Sequence, residues 1–207
     1  MTDRDLSYIY GLFITDGWIQ KRNGTTISIS LEVSIKDKDI VEKLHNLIPY
    51  SSISYRERDT NFKEGYKSTV FTYSRQDLCL QLIEMGYPLE DKTNLARPPI
   101  VPYDENCFWR GVIDGDGSLG IKDSSKTPFL SLTTKSEDLK NSFCNFLYNT
   151  NNRKYNPNRN KRDNIYNIGC NGISAKKVID KLFFSIQEGD IYLDRKYQKM
   201  KEVAEYK

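Results

Sequence analysis

The feature that most constrains this chain is a nonapeptide that occurs twice, about 100 residues apart. "YGLFITDGW" occupies residues 10–18, and "RGVIDGDGS" occupies residues 110–118. The positions that coincide are Gly11, Asp16 and Gly17 in the first copy with Gly111, Asp116 and Gly117 in the second. A duplication at this spacing indicates that the chain folds as two copies of one structural unit.

The segments that follow each copy also correspond. "TTISISLEVS" alternates apolar and polar residues as a half-buried strand does, and "KDKDIVEKLHNLI" has helical spacing. The second half repeats this with "FLSLTT" and "KSEDLKNSFCNFLYN", and both halves then read strand and helix again. We therefore predict an α+β fold of two tandem αββαββα repeats, residues 1–95 and 106–207. The Pro-rich segment 96–105 is the predicted linker.

The two motifs are predicted to be buried helices that pack on each other. Gly11 and Gly111 fall in mid-helix, where glycine is less favourable than alanine by about 0.5–1 kcal/mol. Close approach of the other backbone would compensate for this. We therefore expect the helices to meet face to face across a pseudo-twofold axis, with Asp16 and Asp116 side by side at their ends.

Paired carboxylates at two helix C-termini repel each other and the helix dipoles. The arrangement is favourable if divalent cations bind there, with magnesium expected first and manganese as a substitute. Such ions could activate water and stabilise a leaving oxygen at a scissile phosphate. Lys92 and Lys196 lie in the matching segments "LEDK" and "LDRK" and would add positive charge around that phosphate.

Composition removes several other chemistries. The single histidine, His45, excludes multi-histidine metal sites, and no phosphate-binding glycine loop is present. The four cysteines show no metal-binding spacing. With 31 Lys and Arg against 28 Asp and Glu, any nucleic-acid binding must come from local clusters. No signal peptide or membrane span is recognisable, so an intracellular protein that is not secreted is expected.

The two motifs resemble the LAGLIDADG signature of homing endonucleases, with "IYGLFITDG" at 9–17 and "WRGVIDGDG" at 109–117. The helix and strand order of the whole chain is similar to the monomeric, two-motif members. The resemblance implies saddle-shaped antiparallel sheets on DNA, and site-specific cleavage of a long double-stranded target, as in intron homing.

The same resemblance implies roles for particular residues. Asp16 and Asp116 would be the catalytic, metal-binding acids, and Thr15 and Gly115 would each contribute a backbone carbonyl. Lys92 and Lys196 would shape the catalytic pocket. Ile14 departs from the pattern, since the family often has an acid there. Asp114 keeps that acid, and a structural role is expected for it.

If the sheets saddle DNA, their polar faces and basic turns should contact it. Glu32 could accept a hydrogen bond from cytosine, and basic residues are expected in the turns between strands. The stretch 151–164 is rich in Arg, Lys and Asn and is predicted to join two strands. The predicted DNA-binding residues are Lys21, Arg22, Thr26, Ser28, Ser30, Glu32, Arg56, Arg58, Lys122, Arg153, Lys154, Arg159, Lys161 and Arg162.

Two alternatives use the same fold. A maturase would bind intron RNA and assist its splicing, and no residue excludes this. A non-cleaving DNA-binding protein is less favoured, because a pure binder does not need two clustered acids beside phosphate. The sequence therefore favours a metal-dependent DNA endonuclease that acts as a monomer.

Overall fold

A computed structural model describes residues 1–22, 26–60, 63–160 and 162–206. The first half contains α1 (Asp3–Thr15), β1 (Gly17–Arg22), β2 (Thr26–Ser34), α2 (Lys38–Leu47), β3 (Ser52–Thr60), β4 (Lys63–Tyr73), α3 (Gln76–Glu84) and α4 (Lys92–Leu95). The second half contains α5 (Glu105–Asp116), β5 (Gly117–Ile121), β6 (Pro128–Thr134), α6 (Glu137–Asn151), β7 (Arg159–Asn160), β8 (Ile165–Asn171), α7 (Ile173–Phe184) and α8 (Asp194–Ala204).

The two halves have the same architecture. Each forms a four-stranded antiparallel sheet, in the order β1-β2-β4-β3 and β5-β6-β8-β7. The predicted α+β fold with two αββαββα repeats is confirmed, and each half ends in one helix more than predicted. These additional helices, α4 and α8, contain the two predicted lysines in their first turns and so position those side chains.

Each sheet buries one face. In β2, Ile29 and Leu31 are fully buried in the core, together with Phe71 of the neighbouring β4. The alternation of side chains sends Glu32 and its neighbours in register to the opposite side. We call this opposite side of each sheet the polar face.

The second sheet is shorter at its outer edge. β3 has nine residues, whereas β7, at the equivalent position, has two. The segment before β7 contains "NPN" at 156–158, and asparagine and proline are poor strand formers. The prediction that 151–164 joins two strands is therefore wrong, since this segment runs from the end of α6 to β8 and includes β7.

The motif helices α1 and α5 meet as predicted. A methyl group on Gly11 would overlap the carbonyl oxygen of Phe108, and one on Gly111 would overlap the carbonyl oxygen of Tyr8. The two contacts are reciprocal at the same spacing, which is the mark of an approximate twofold axis. Glycine at both positions is thus required by the close approach of the two backbones.

Ion pairs that are partly buried also connect α1 to the linker and to the second half. Arg4 of α1 contacts Asp104 at 2.8 Å and Asp190 at 2.5 Å, and Asp190 also contacts Arg110 of α5 at 2.7 Å. Arg110 is only 1% exposed, so Asp190 compensates a charge that the core could not otherwise hold. Among the described helices, none has both the length and the hydrophobicity of a membrane span.

Candidate active site

The two motif aspartates lie at the C-terminal ends of α1 and α5. Asp16 caps α1, and its N–H donates to the carbonyl of Leu12, while Asp116 is the last residue of α5. The ends are in contact, because Asp16 Oδ2 is 3.3 Å from the point that a Cβ on Gly115 would occupy. Neither helix has a basic residue in its last turn. The predicted pair of carboxylates at the helix ends is therefore present.

The surroundings make both carboxylates resist ionisation. Partial desolvation, and then the charge of Asp116, raise the pKa of Asp16 from 3.8 to about 6. Desolvation also raises the pKa of Asp116, against the opposing charges of Lys92 and Lys196. Both aspartates nevertheless keep solvent-exposed surface. They are therefore accessible acids whose negative charge the protein alone compensates poorly.

The two predicted lysines reach this site from the last helix of each half. Lys92 Nζ donates to the carbonyls of Thr15 at 2.5 Å and Gly17 at 2.6 Å. Lys196 Nζ donates to the carbonyls of Ile113 at 2.5 Å, Asp114 at 2.7 Å and Gly115 at 3.2 Å. Each ammonium thus binds carbonyls at the C-terminal end of a motif helix or directly beyond it, the region where helix carbonyls run out of intrahelical donors.

Desolvation lowers the pKa of both lysines, and the acids of the site oppose this. For Lys92 the opposing charges are Asp16 and Asp116, and for Lys196 the largest is Asp114. Lys196 is only 4% exposed, whereas Lys92 is half-buried. The lysines therefore belong to the same electrostatic cluster as the aspartates.

Thr15 and Gly115 are equivalent in the two motifs but differ in size. A methyl group on Gly115 would overlap Thr15 Oγ1, which itself donates to the carbonyl of Leu12 at 2.7 Å. The helix ends are so close that only one of the two positions can carry a side chain. The backbone carbonyls of both residues accept from the lysines, and a carbonyl oxygen retains a second lone pair.

Asp114 and Tyr87 stabilise the two helix ends in different ways. Asp114 is 6% exposed and accepts from Tyr8 Oη at 2.7 Å and from the N–H of Leu193 at 2.9 Å. This fits the structural role expected for that acid. In the first half, Tyr87 Oη donates to the carbonyls of Phe13 and Gly17, both at 3.1 Å. Nothing in the motif pattern predicted Tyr87.

The donor set fits a hard divalent cation. Within the described ranges, no three His, Cys, Asp or Glu side chains form a group that could hold a metal ion unaided. Asp16 and Asp116 are two carboxylates with perturbed pKa values and accessible surface. A cavity of about 200 Å³ lies beside Asp16 and Gly115 and has room for water or a phosphate oxygen. Magnesium usually binds in this way, through one or two carboxylates with water and phosphate.

Comparison with known proteins agrees with this geometry. Residues 3–83 match the family model described as LAGLIDADG-like domain. The structure of meganuclease I-SmaMI bound to uncleavable DNA is similar over 98% of this chain and 90% of that one, with a TM-score of 0.57 and 12% identity. This chain has the LAGLIDADG fold. A sequence search of curated proteins finds no significant match.

Two further structures share the LAGLIDADG fold. The homing endonuclease I-GzeII in complex with its DNA target has a TM-score of 0.60 at 13% identity, over 96% of this chain and 88% of that one. Meganuclease I-AabMI, bound to uncleaved DNA, has the same TM-score and coverage at 10% identity. The fold is thus shared over nearly the whole length of these proteins.

The polar face of the first sheet differs from the prediction in its details. Ser28 and Ser30 are 5% and 7% exposed, so the expectation that they lie on the surface is wrong. β2 is an inner strand, and their partners in β1 are the larger Gln20 and Trp18. Neighbours on the same face cover small side chains in this way.

Glu32 is already paired with neighbouring side chains of the first sheet. Its carboxylate contacts Arg56 at 3.2 Å and Arg58 at 3.0 Å, and it accepts from Ser68 Oγ at 2.6 Å. Arg56 and Arg58 lie within β3 and not in a turn, which corrects the prediction. Their side chains are 49% and 55% exposed, so they remain accessible on the polar face.

Basic residues of the second half take several positions. Lys122 is exposed in the turn after β5, and Arg153 and Lys154 are exposed after α6. Arg159 stacks over the Tyr166 ring at 4.7 Å, and Arg162 is exposed and contacts its neighbour Asp163.

Four predicted DNA-binding residues are only partly described or not described. Lys21 and Arg22 have backbones in β1, not in a turn as predicted, and Thr26 has its backbone in β2. The side chains of these three residues and the whole of Lys161 lie outside the described part of the chain.

Proposed function

We propose that this protein is a site-specific double-strand DNA endonuclease that depends on a divalent cation, with magnesium first and manganese as a substitute. The observation that carries the proposal is the pair Asp16 and Asp116. Two accessible acids with raised pKa values meet at two helix ends whose dipoles oppose them. The fold shared with DNA-bound endonucleases supports DNA as the substrate.

The residues of the site have separable tasks in this proposal. Asp16 and Asp116, with the carbonyls of Thr15 and Gly115, would hold the cation. When bound, the cation lowers the pKa of water and stabilises the leaving oxygen of the phosphodiester. Lys92 and Lys196 fix the helix ends through their carbonyls and add positive charge beside the scissile phosphates. Since both acids come from one chain, a monomer would suffice.

The polar faces would bind the DNA duplex. Arg56, Arg58, Lys122, Arg153 and Lys154 offer exposed positive charge along the two sheets. Phosphate contacts by such side chains give affinity that falls steeply with salt concentration. Base contacts from the polar residues between them would supply specificity.

The test is cleavage of a randomised duplex library with magnesium, followed by sequencing of the cut ends. The Asp116→Asn variant, which keeps the shape of the side chain, is the matched control. A recurring long site cut only by the unmodified protein supports the proposal. Specific binding of DNA without cleavage, or of intron RNA instead, would replace the endonuclease with one of the two alternatives.

A further inference from the structure

An ion pair without a role in the proposed cleavage reaction lines the cavity beside Asp16. Asp37, in the turn before α2, and Arg195, at the start of α8, both line this cavity of about 200 Å³. Asp16 and Gly115 line it too. The cavity is therefore bounded by both halves of the molecule and by one end of the proposed metal site.

The pair has a geometry that fixes the guanidinium. Arg195 Nε donates to Asp37 Oδ1 and Arg195 Nη2 donates to Asp37 Oδ2, both at 2.9 Å. These parallel bonds occupy two of the five N–H donors of the arginine and orient its plane. The Arg195 side chain is 48% exposed, so the remaining donors are accessible from the cavity side or from solvent.

The other half has no such group at the equivalent positions. When "LDRK" is aligned with "LEDK", Arg195 corresponds to Asp91. When Lys36 is aligned with Lys135, the next residue in each half makes Asp37 correspond to Ser136. Asp91 is an exposed acid whose carboxylate accepts from the side chain of Asn94 at 2.8 Å. Ser136 is buried and donates to the carbonyl of Ala96. One side of the centre thus carries an oriented arginine where the other carries an acid.

We propose that Arg195 binds a phosphate of the DNA strand that is cut at the Asp16 side, and that Asp37 positions it. The proposal rests on the endonuclease function proposed above and adds a difference between the two strands. A planar guanidinium held in place binds phosphate oxygens through paired N–H donors, which suits it to this task. The strand cut at the opposite side would be cleaved without an arginine at this position.

The experiment uses the target site recovered from the library, with each strand labelled separately. Arg195→Ala should slow cleavage of a single strand, the one cut at the Asp16 side, by about tenfold to a hundredfold. This is the range for losing a charged hydrogen bond. The other strand should keep its rate, so nicked duplex accumulates. Arg195→Lys should restore part of the rate. Asp91→Asn, the matched control at the equivalent position, should leave both strands unchanged.

A second variant separates phosphate binding from a merely structural ion pair. The double change Asp37→Arg with Arg195→Asp reverses the pair and keeps the connection between the halves. We expect normal thermal stability, together with the same slow cleavage of that strand. The proposal would be overturned if the cleavage rate of that strand recovered in the reversed pair. Equal slowing of both strands in Arg195→Ala would overturn it too. If the unmodified protein cuts no DNA, the endonuclease function fails and this proposal fails with it.

Discussion

The two ends of the candidate active site are alike where the helices meet, but the residues that support them differ. Each end has an aspartate, a lysine on the helix carbonyls and a glycine at the helix crossing. The supports differ: α4 has four residues and a half-buried Lys92, whereas α8 has eleven residues and a buried Lys196. Tyr87 donates to a carbonyl at the end of α1, whereas Asp114 near the end of α5 accepts from the N–H of Leu193.

This difference shows which contacts the duplicated unit cannot change. A reciprocal backbone contact constrains both copies equally, because each glycine faces the other helix. A lysine only has to place its ammonium within hydrogen-bond distance of the carbonyls, and helices of very different length can position it there. The outer strands β3 and β7 also differ in length, with nine residues against two.

The helix crossing should respond equally from both sides. Gly11→Val and Gly111→Val each force a side chain into the carbonyl of the opposite helix, and each should lower the free energy of unfolding by about 3 kcal/mol. Chemical denaturation measures this. A large loss for one variant and none for the other would show that the contact is not reciprocal.

The lysines should differ in their contribution to stability. Lys196→Met removes a buried donor that three carbonyls share, and we expect the free energy of unfolding to fall by about 2 kcal/mol. Water can replace the ammonium of the half-buried Lys92, so Lys92→Met should cost less than about 1 kcal/mol. Equal losses in urea unfolding would contradict the difference in burial.

The close contact of Thr15 and Gly115 predicts coupling between them. Gly115→Ala should destabilise the protein by about 1–2 kcal/mol, because its methyl group overlaps Thr15 Oγ1. Thr15→Gly in the same chain should recover most of that loss. A double-mutant cycle measures the coupling, and independent effects would mean that the helix ends are further apart.

The raised pKa of Asp16 predicts a dependence of stability on pH. The folded-state pKa, about 6, lies above the value of an unfolded aspartate, so the folded protein resists this ionisation. The contribution of Asp16 to the free energy of unfolding is therefore fully present below about pH 4 and is lost as the pH rises to about 6. Without divalent cations, the stability advantage of Asp16→Asn should grow over this interval. Parallel curves for the two proteins would contradict the shift.

The repeat made most of the fold predictable from sequence. The two nonapeptides predicted the helix crossing and the adjacent aspartates. Glycine in mid-helix indicates a close approach of another backbone, and the duplication indicates that the two motifs are equivalent. The alternation of "TTISISLEVS" predicted β2 and its two faces. The shared "LEDK" and "LDRK" segments placed both lysines near the site.

What the sequence could not give depends on neighbours in space. Ser28 and Ser30 alternate correctly with the core residues, but they are buried in an inner strand, in register with Gln20 and Trp18 of β1. Arg56 and Arg58 read as a charged turn, and only the pairing of β3 with β4 and the contact with Glu32 place them in a strand. The contact of Asp37 with Arg195 joins residues 158 positions apart, and no local pattern indicates it.

The most direct test of the central claim is strand-resolved cleavage of the recovered target by the Asp16→Asn and Asp116→Asn variants in magnesium. Both variants should bind the target as the unmodified protein does without divalent cations, and neither should produce double-strand breaks. This result would show that both helix-end carboxylates serve the cleavage reaction. Normal double-strand cleavage by either variant would contradict the claim that the two aspartates form one cation-binding site.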